Sequence, residues 1–281
     1  MEIINKLIKG VEDFPTLPTI YTALSEVMAN PYSTPNDAAK IIASDQASAA
    51  KVLKTANSSI YGLKSKIDTI TQAIFFIGFN EVKNLIIALS IIDLFKKTHH
   101  SQGLSPLDLW KHSIAVGVIS RLIGKAAGAD NVENYFISGI LHDIGKLLFI
   151  RYLEKDYART VQYAYQKNIS IRDAETKILG VTHNIAGELI AEKWKLPHNI
   201  KDCIRFHYMG VLGNKPDLLT ASIHIGNVVA RTLELGDGGD RLIPEPNYDV
   251  WSILNLPVNT FTNLLPKIRM DYEQCVSLFL L

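Results

Sequence analysis

The stretch ISGILHDIGKLLFI, residues 137–150, sets His142, Asp143 and Lys146 inside an otherwise apolar run. Burying such groups costs free energy unless partners or a cation meet them. The spacing of the apolar residues predicts a helix. On a helix, His142 and Asp143 project about 100° apart, so a metal placed between the two directions can take both. Lys146 follows one turn after His142 on the same face, where it can contact a phosphate or pair with a carboxylate. The segment therefore reads either as part of a metal site or as a polar pair satisfied by neighbouring helices.

The other histidines bear on that choice. The chain has eight. His99 and His100 fall in a polar linker, and His198 follows Leu196–Pro197 at a helix start; all three read as surface groups. His112, His183 and His207 share the apolar helical setting of His142. Imidazoles and a carboxylate from separate helices of a bundle are a donor set that divalent first-row metals accept.

Working outward, helical periodicity dominates and useful strand alternation is absent. STPNDAAKIIAS opens with a Ser/Thr cap, Pro35 in the first turn and Asp37 near the positive helix end. Ser44 or Asp45 caps the next helix, and Gly78 ends TITQAIFFIG. The polar segment KKTHHSQGLSP, residues 96–106, separates two helical units. Three regions are expected: an N-terminal helical part over 1–100, a helical bundle over 101–235, and a loop with terminal helices over 236–281. The glycine-rich GDGGDRLIPEPN reads as a flexible loop.

Composition narrows the function. Lys plus Arg number 29 and Asp plus Glu 28, for a net charge of +1. Such a chain has no global attraction to nucleic acid or anionic membrane, so neither partner is expected. Cys203 and Cys275 lie far apart without a CxxC pattern, and read as buried free thiols of a reducing compartment. The start MEIINKLIKG lacks the features of a signal peptide. The apolar run NLIIALSIIDLF is too short to span a bilayer and carries Asp93. A cytoplasmic location is the expectation.

LHDIGK, with the upstream His of WKHS, resembles the HD phosphohydrolase superfamily. FPTLP, IIASDQASAAKVLKTANSSIYG and TITQAIFFIGFNEVKNL resemble the N-terminal signature of one branch, the HD-related output domain or HDOD family. AETKILGVTHNIAGELIAEKWKLPHNIKDCIRFHY resembles its later signature. The likeness spans roughly residues 10–235. It implies an all-α protein in which an N-terminal helical domain packs on an HD-like bundle, with extra C-terminal helices.

The resemblance also implies a bacterial signal-transduction module that acts through protein interaction. Its partners would be signalling proteins such as receiver domains or cyclic-dinucleotide enzymes. No receiver-like βαβ pattern occurs in the chain, which reads as a stand-alone version or a piece of a larger protein. His112, His142, Asp143, His183 and His207 match metal-ligand positions of catalytic relatives, with iron, manganese, nickel or zinc as the expected metal. If the centre is active, Asp143 and Lys146 are the catalytic candidates for a metal-dependent phosphohydrolase acting on a nucleotide or cyclic dinucleotide.

Three departures weigh against turnover. Tyr208 stands where HD-GYP relatives carry a second histidine. The Gly–Tyr–Pro signature is replaced by YMGVLGNKPDLL. Asn227 matches the final Asp ligand, with His224 near that position as a substitute.

Overall fold

The computed structural model describes residues 2–17, 19–58, 61, 63, 65–98 and 103–280. In chain order the first helices are α1 (Glu2–Asp13), α2 (Thr19–Ala29), α3 (Pro35–Ala43), α4 (Gln46–Ala56), α5 (Ile70–Ile77) and α6 (Phe79–Lys96). They are followed by α7 (Pro106–Ala126), α8 (Glu133–Leu141), α9 (Ile144–Tyr152), α10 (Glu154–Lys167) and α11 (Ile171–Ile178). The last are α12 (His183–Lys193), α13 (His198–Phe206), α14 (Leu218–Thr232), α15 (Asp249–Leu254) and α16 (Thr260–Leu280). Among the described residues there is no strand, only an isolated bridge between Leu212 and Lys215. The protein is all-α, as the periodicity predicts. No single described helix is long and apolar enough to cross a membrane.

The helices gather into two compact units: Met1–Pro15 with Leu94–Ile268, and Thr16–Asp93 with Arg269–Leu281. This division is discontinuous in sequence and does not follow the expected boundaries at 100 and 235.

The smaller unit contains α2 to α5 and most of α6, around a core that includes Leu24, Ile42, Val52, Ala73, Val82 and Ile86. Its helix ends follow local chemistry. Asp45 caps α4 by accepting from Ala47 N at 3.1 Å. Thr69 and Gln72 form a reciprocal capping box at the start of α5. Gly78, at φ +94°, ends α5 and lets the chain turn by 113° into α6.

In the larger unit, α1 is held by the chain just after it. Phe14 is 1% exposed and packs its ring against Tyr152 and Trp194, at centroid distances of 6.4 and 5.8 Å. Lys193 Nζ donates to Val11 O and Phe14 O at 2.9 and 2.7 Å, and Trp194 Nε1 to Pro15 O at 2.8 Å. These bonds tie the last turn of α1 and the two residues after it to the end of α12. They explain the placing of Phe14 and Pro15 with the larger unit.

The long helix α7 is buried over most of its length and packs on α8 and α14. Ser105 caps it, with Pro106 at its first position. Two close helix approaches bracket His142 and Asp143. A Cβ on Gly139 of α8 would lie 2.5 Å from Gly117 Cα of α7. A Cβ on Gly145 of α9 would lie 2.0 Å from His183 O and 2.7 Å from Gly187 N of α12. Both glycines stand in the opening stretch, and each lets a neighbouring helix carry its histidine inward.

Gly145→Ala forces α9 and α12 apart because the obstructing atoms are backbone. We expect a loss of about 3 kcal/mol, at the upper end of overpacking costs, in urea unfolding. An unchanged midpoint would show that the close approach is not required.

Candidate metal centre

Helix α8 ends at Leu141 and α9 begins at Ile144, so His142 and Asp143 occupy the corner between two helices. This corrects the reading of one continuous helix. Asp143 stands at the N-cap of α9 with φ −106° and ψ 15°, yet its side chain makes no capping bond. The carboxylate is spent elsewhere. Lys146 Nζ donates to Asp143 Oδ2 at 2.6 Å and to Gly238 O at 2.8 Å, and Asp143 and Lys146 are each only 1% exposed.

Four imidazoles surround the same carboxylate. His112 Nε2 and His142 Nε2 lie 3.8 and 3.2 Å from Asp143 Oδ2. His183 Nε2 and His207 Nε2 lie 3.3 and 3.7 Å from Oδ1. They come from α7, the α8–α9 corner, the first residue of α12 and the residue after α13. The structure thus brings together all five residues singled out as metal ligands, with Lys146 beside them.

Hydrogen bonds at the far side of three rings fix their orientation. His142 Nδ1 donates to Gly139 O at 2.7 Å, and His207 Nδ1 to Ile204 O at 3.1 Å. His183 Nδ1 donates to Glu175 Oε2 at 2.6 Å. In the neutral rings each Nε2 therefore turns a lone pair toward Asp143. Burial first, and then neighbouring His142, pushes His112 and His207 well below the ordinary imidazole range. Burial alone would raise the Asp143 carboxyl; the electrostatics of His142 and Lys146 outweigh it and hold the group well below the usual range.

An ionised carboxylate repels the lone pairs of neutral imidazoles unless a proton or a metal cation lies between them. His112 Nε2, His142 Nε2 and Asp143 Oδ1 are buried with no hydrogen-bond partner in the structure. The donor set and these orphaned atoms fit a divalent metal of the nitrogen- and oxygen-binding kind.

Glu175 is the member that sequence reasoning missed. It is fully buried on α11, and Oε2 also accepts His183 N at 2.9 Å while Oε1 accepts Tyr157 OH at 3.2 Å. A carboxylate behind an imidazole is a common support for a metal-binding histidine. The only sequence signal was an acid eight residues before His183, a separation that the turn between α11 and α12 folds back.

The remaining candidates are placed differently. His224 Nδ1 donates to His207 O at 3.0 Å, and its Nε2 accepts from Asn247 N at 3.0 Å. Both nitrogens are used, so His224 does not substitute for a ligand. Asn227 Oδ1 accepts from Arg231 Nε at 3.3 Å. His198 is exposed, and His99 and His100 lie outside the described residues.

The glycine-rich segment is pinned across the site, contrary to its reading as a free loop. Besides the Lys146–Gly238 bond, Asp237 N donates to Asp108 O at 3.0 Å. Arg231 Nη1 bonds Asp240 Oδ1 at 2.6 Å and Leu242 O at 3.0 Å. Asp240 Oδ2 accepts Ile171 N at 2.8 Å. A cavity of about 520 Å³ opens beside this strap, with Asp143, Lys146, His183 and His207 on its walls. Tyr208 and Arg172 also line it, the guanidinium carbon 3.8 Å from the ring centroid.

The fold and the motifs agree with a comparison of families. The HDOD domain profile matches residues 14–209. The chain belongs to the HDOD domain family. An uncharacterized protein of Treponema pallidum (strain Nichols) is 24% identical to this HDOD chain over 199 residues, which are 70% of the chain and 38% of that protein. The chain therefore spans about two fifths of that relative's length.

Solved structures share the HDOD fold. An HDOD domain protein of unknown function from Geobacter sulfurreducens superposes with a TM-score of 0.82 at 24% identity, covering 100% of this chain and 98% of that one. A Marinobacter aquaeolei VT8 protein, described provisionally as a signal transduction protein, gives 0.73 at 18% identity, covering 99% of this chain and 65% of that one.

Removing Asp143 tests how the cluster is held without metal. In a chelator, Asp143→Ala leaves the Lys146 ammonium buried without its carboxylate. A loss of about 3–5 kcal/mol is expected in urea unfolding, as for a broken buried pair. A change below about 1 kcal/mol would contradict the assigned pairing.

Proposed function

We propose that this HDOD chain is a signal-transduction output module whose buried histidine–aspartate centre holds a divalent metal. One observation carries the metal reading: Nε2 atoms of tautomer-fixed imidazoles converge on a buried carboxylate whose Oδ1 has no other partner. Iron, manganese, nickel and zinc all accept this donor set. His112, His142, Asp143, His183 and His207 are the candidate ligands, in two groups that share Asp143. Glu175 holds His183 in its binding tautomer from behind.

The output role rests on the family and on the departures at the site. Asn227 brings no charge and its carbonyl is taken by Arg231. Tyr208 is 37% exposed and lies against Arg172 instead of supplying an imidazole. Lys146 is bound to Asp143 and Gly238, so its charge is committed inside the protein. A centre of this kind stabilises a conformation that a partner reads, with receiver domains or cyclic-dinucleotide enzymes as the proposed partners.

A second reading is supported by the cavity. A divalent metal at this place would supply positive charge and lower the pKa of a bound water. Asp143 would then orient that water, and the cavity beside it has room for a nucleotide-sized phosphoester. The chain would be a metal-dependent phosphohydrolase.

Turnover separates the two. Protein purified without a histidine tag is loaded with manganese or iron and offered cyclic dinucleotides, nucleotides and simple phosphoesters. The output reading expects no hydrolysis above that of Asp143→Ala. Hydrolysis abolished by that substitution would replace it with the enzyme reading. Metal content tests the shared premise: Glu175→Gln is expected to weaken binding about 10–100-fold, and an unchanged affinity would remove Glu175 from its supporting role.

A further inference from the structure

The five ligands fall into two groups that share one carboxylate. His112 and His142 face Asp143 Oδ2, whereas His183 and His207 face Oδ1. Spacing does not choose between them. Nitrogen–oxygen separations of 3.8 and 3.2 Å on one side and 3.3 and 3.7 Å on the other both approach the roughly 3.0–3.4 Å between ligands bound at about 2.1 Å.

Charge and access do choose. On the first side, Oδ2 already carries the Lys146 ammonium at 2.6 Å. A dication added to that oxygen would sit close to a buried positive charge that Lys146 cannot withdraw without breaking its bond to Gly238. On the second side, Oδ1 has no hydrogen-bond partner, and Glu175 stands behind His183 with a further negative charge. His183, His207 and Asp143 line the cavity, whereas His112 and His142 are sealed at 1% and 0% exposure and do not line it.

The buried charges set the capacity. With neutral imidazoles, as metal ligands are, Asp143 and Glu175 bring two negative charges and Lys146 one positive, so the cluster is singly negative. Arg231 is neutralised by Asp240. One dication leaves a single positive charge, which a small anion from the cavity can balance. Two would leave three positive charges among buried groups, a state that costs heavily.

We infer that this chain holds one divalent metal, on Asp143 Oδ1, His183 and His207, and that the Lys146 ammonium takes the place of a second metal on Asp143 Oδ2. The inference rests on the metal reading above and specifies its stoichiometry and location.

The test counts zinc or manganese by elemental analysis and isothermal titration, on untagged wild type and on His112→Gln, His207→Gln and Lys146→Met. One equivalent is expected in the wild type. His207→Gln should weaken binding by at least about 10–100-fold, the loss that even an outer-shell change brings. His112→Gln should stay within a few-fold, and Lys146→Met should admit a second equivalent.

Two equivalents in the wild type, or a loss in His112→Gln as large as that in His207→Gln, would overturn the inference and leave the metal reading standing. A single equivalent in folded Lys146→Met would overturn the role given to the lysine. No bound metal in the wild type would overturn both readings. The wild-type count decides the stoichiometry by itself if a variant fails to fold.

Discussion

A buried carboxylate at the wall of a cavity, with an ammonium on one oxygen and imidazoles around both, is the constraint from which the larger unit is built. Asp143 is tolerable there because Lys146 meets one oxygen and a proton or a cation can stand between the carboxylate and the four rings. Those partners come from α7, the α8–α9 corner, α12 and the end of α13, so meeting the carboxylate fixes where those helices cross. Gly139 and Gly145 supply the closeness that the crossings need. The short motif around His142 is thus a packing instruction as much as a chemical one.

Much of this was legible in the chain, for identifiable reasons. Caps such as Asp45, Thr69 and Ser105 act on amides two or three residues away, and local signals of that kind survive into the fold. The histidine–aspartate cluster was legible because four histidines stood out against apolar helical stripes. The corner at His142 and Asp143 was not, since no proline marks it and the apolar pattern continues on both sides. At the break Asp143 faces imidazoles from α7, α12 and the end of α13, contacts that no local pattern announces. Glu175 and the strap over residues 236–242 were missed because their partners lie far along the chain. Gly238 answers Lys146, and Asp240 answers Arg231 and Ile171.

The departures from a catalytic centre share one direction. Asn227 offers an amide already bonded to Arg231 and Tyr208 a ring under the Arg172 guanidinium, while the retained Lys146 turns its charge inward. None removes the converging lone pairs of His183 and His207. On the proposed reading the molecule keeps donors that can bind a cation and lacks part of what a reaction on it would use, which suits a module whose output is a conformation.

The most direct test is a crystal structure of the untagged protein grown with manganese or zinc, with anomalous data collected at that metal's absorption edge. The account expects one peak, bonded to Asp143 Oδ1, His183 Nε2 and His207 Nε2 at about 2.0–2.2 Å, with Lys146 still on Asp143 Oδ2. An anomalous map with no peak among these residues would contradict it.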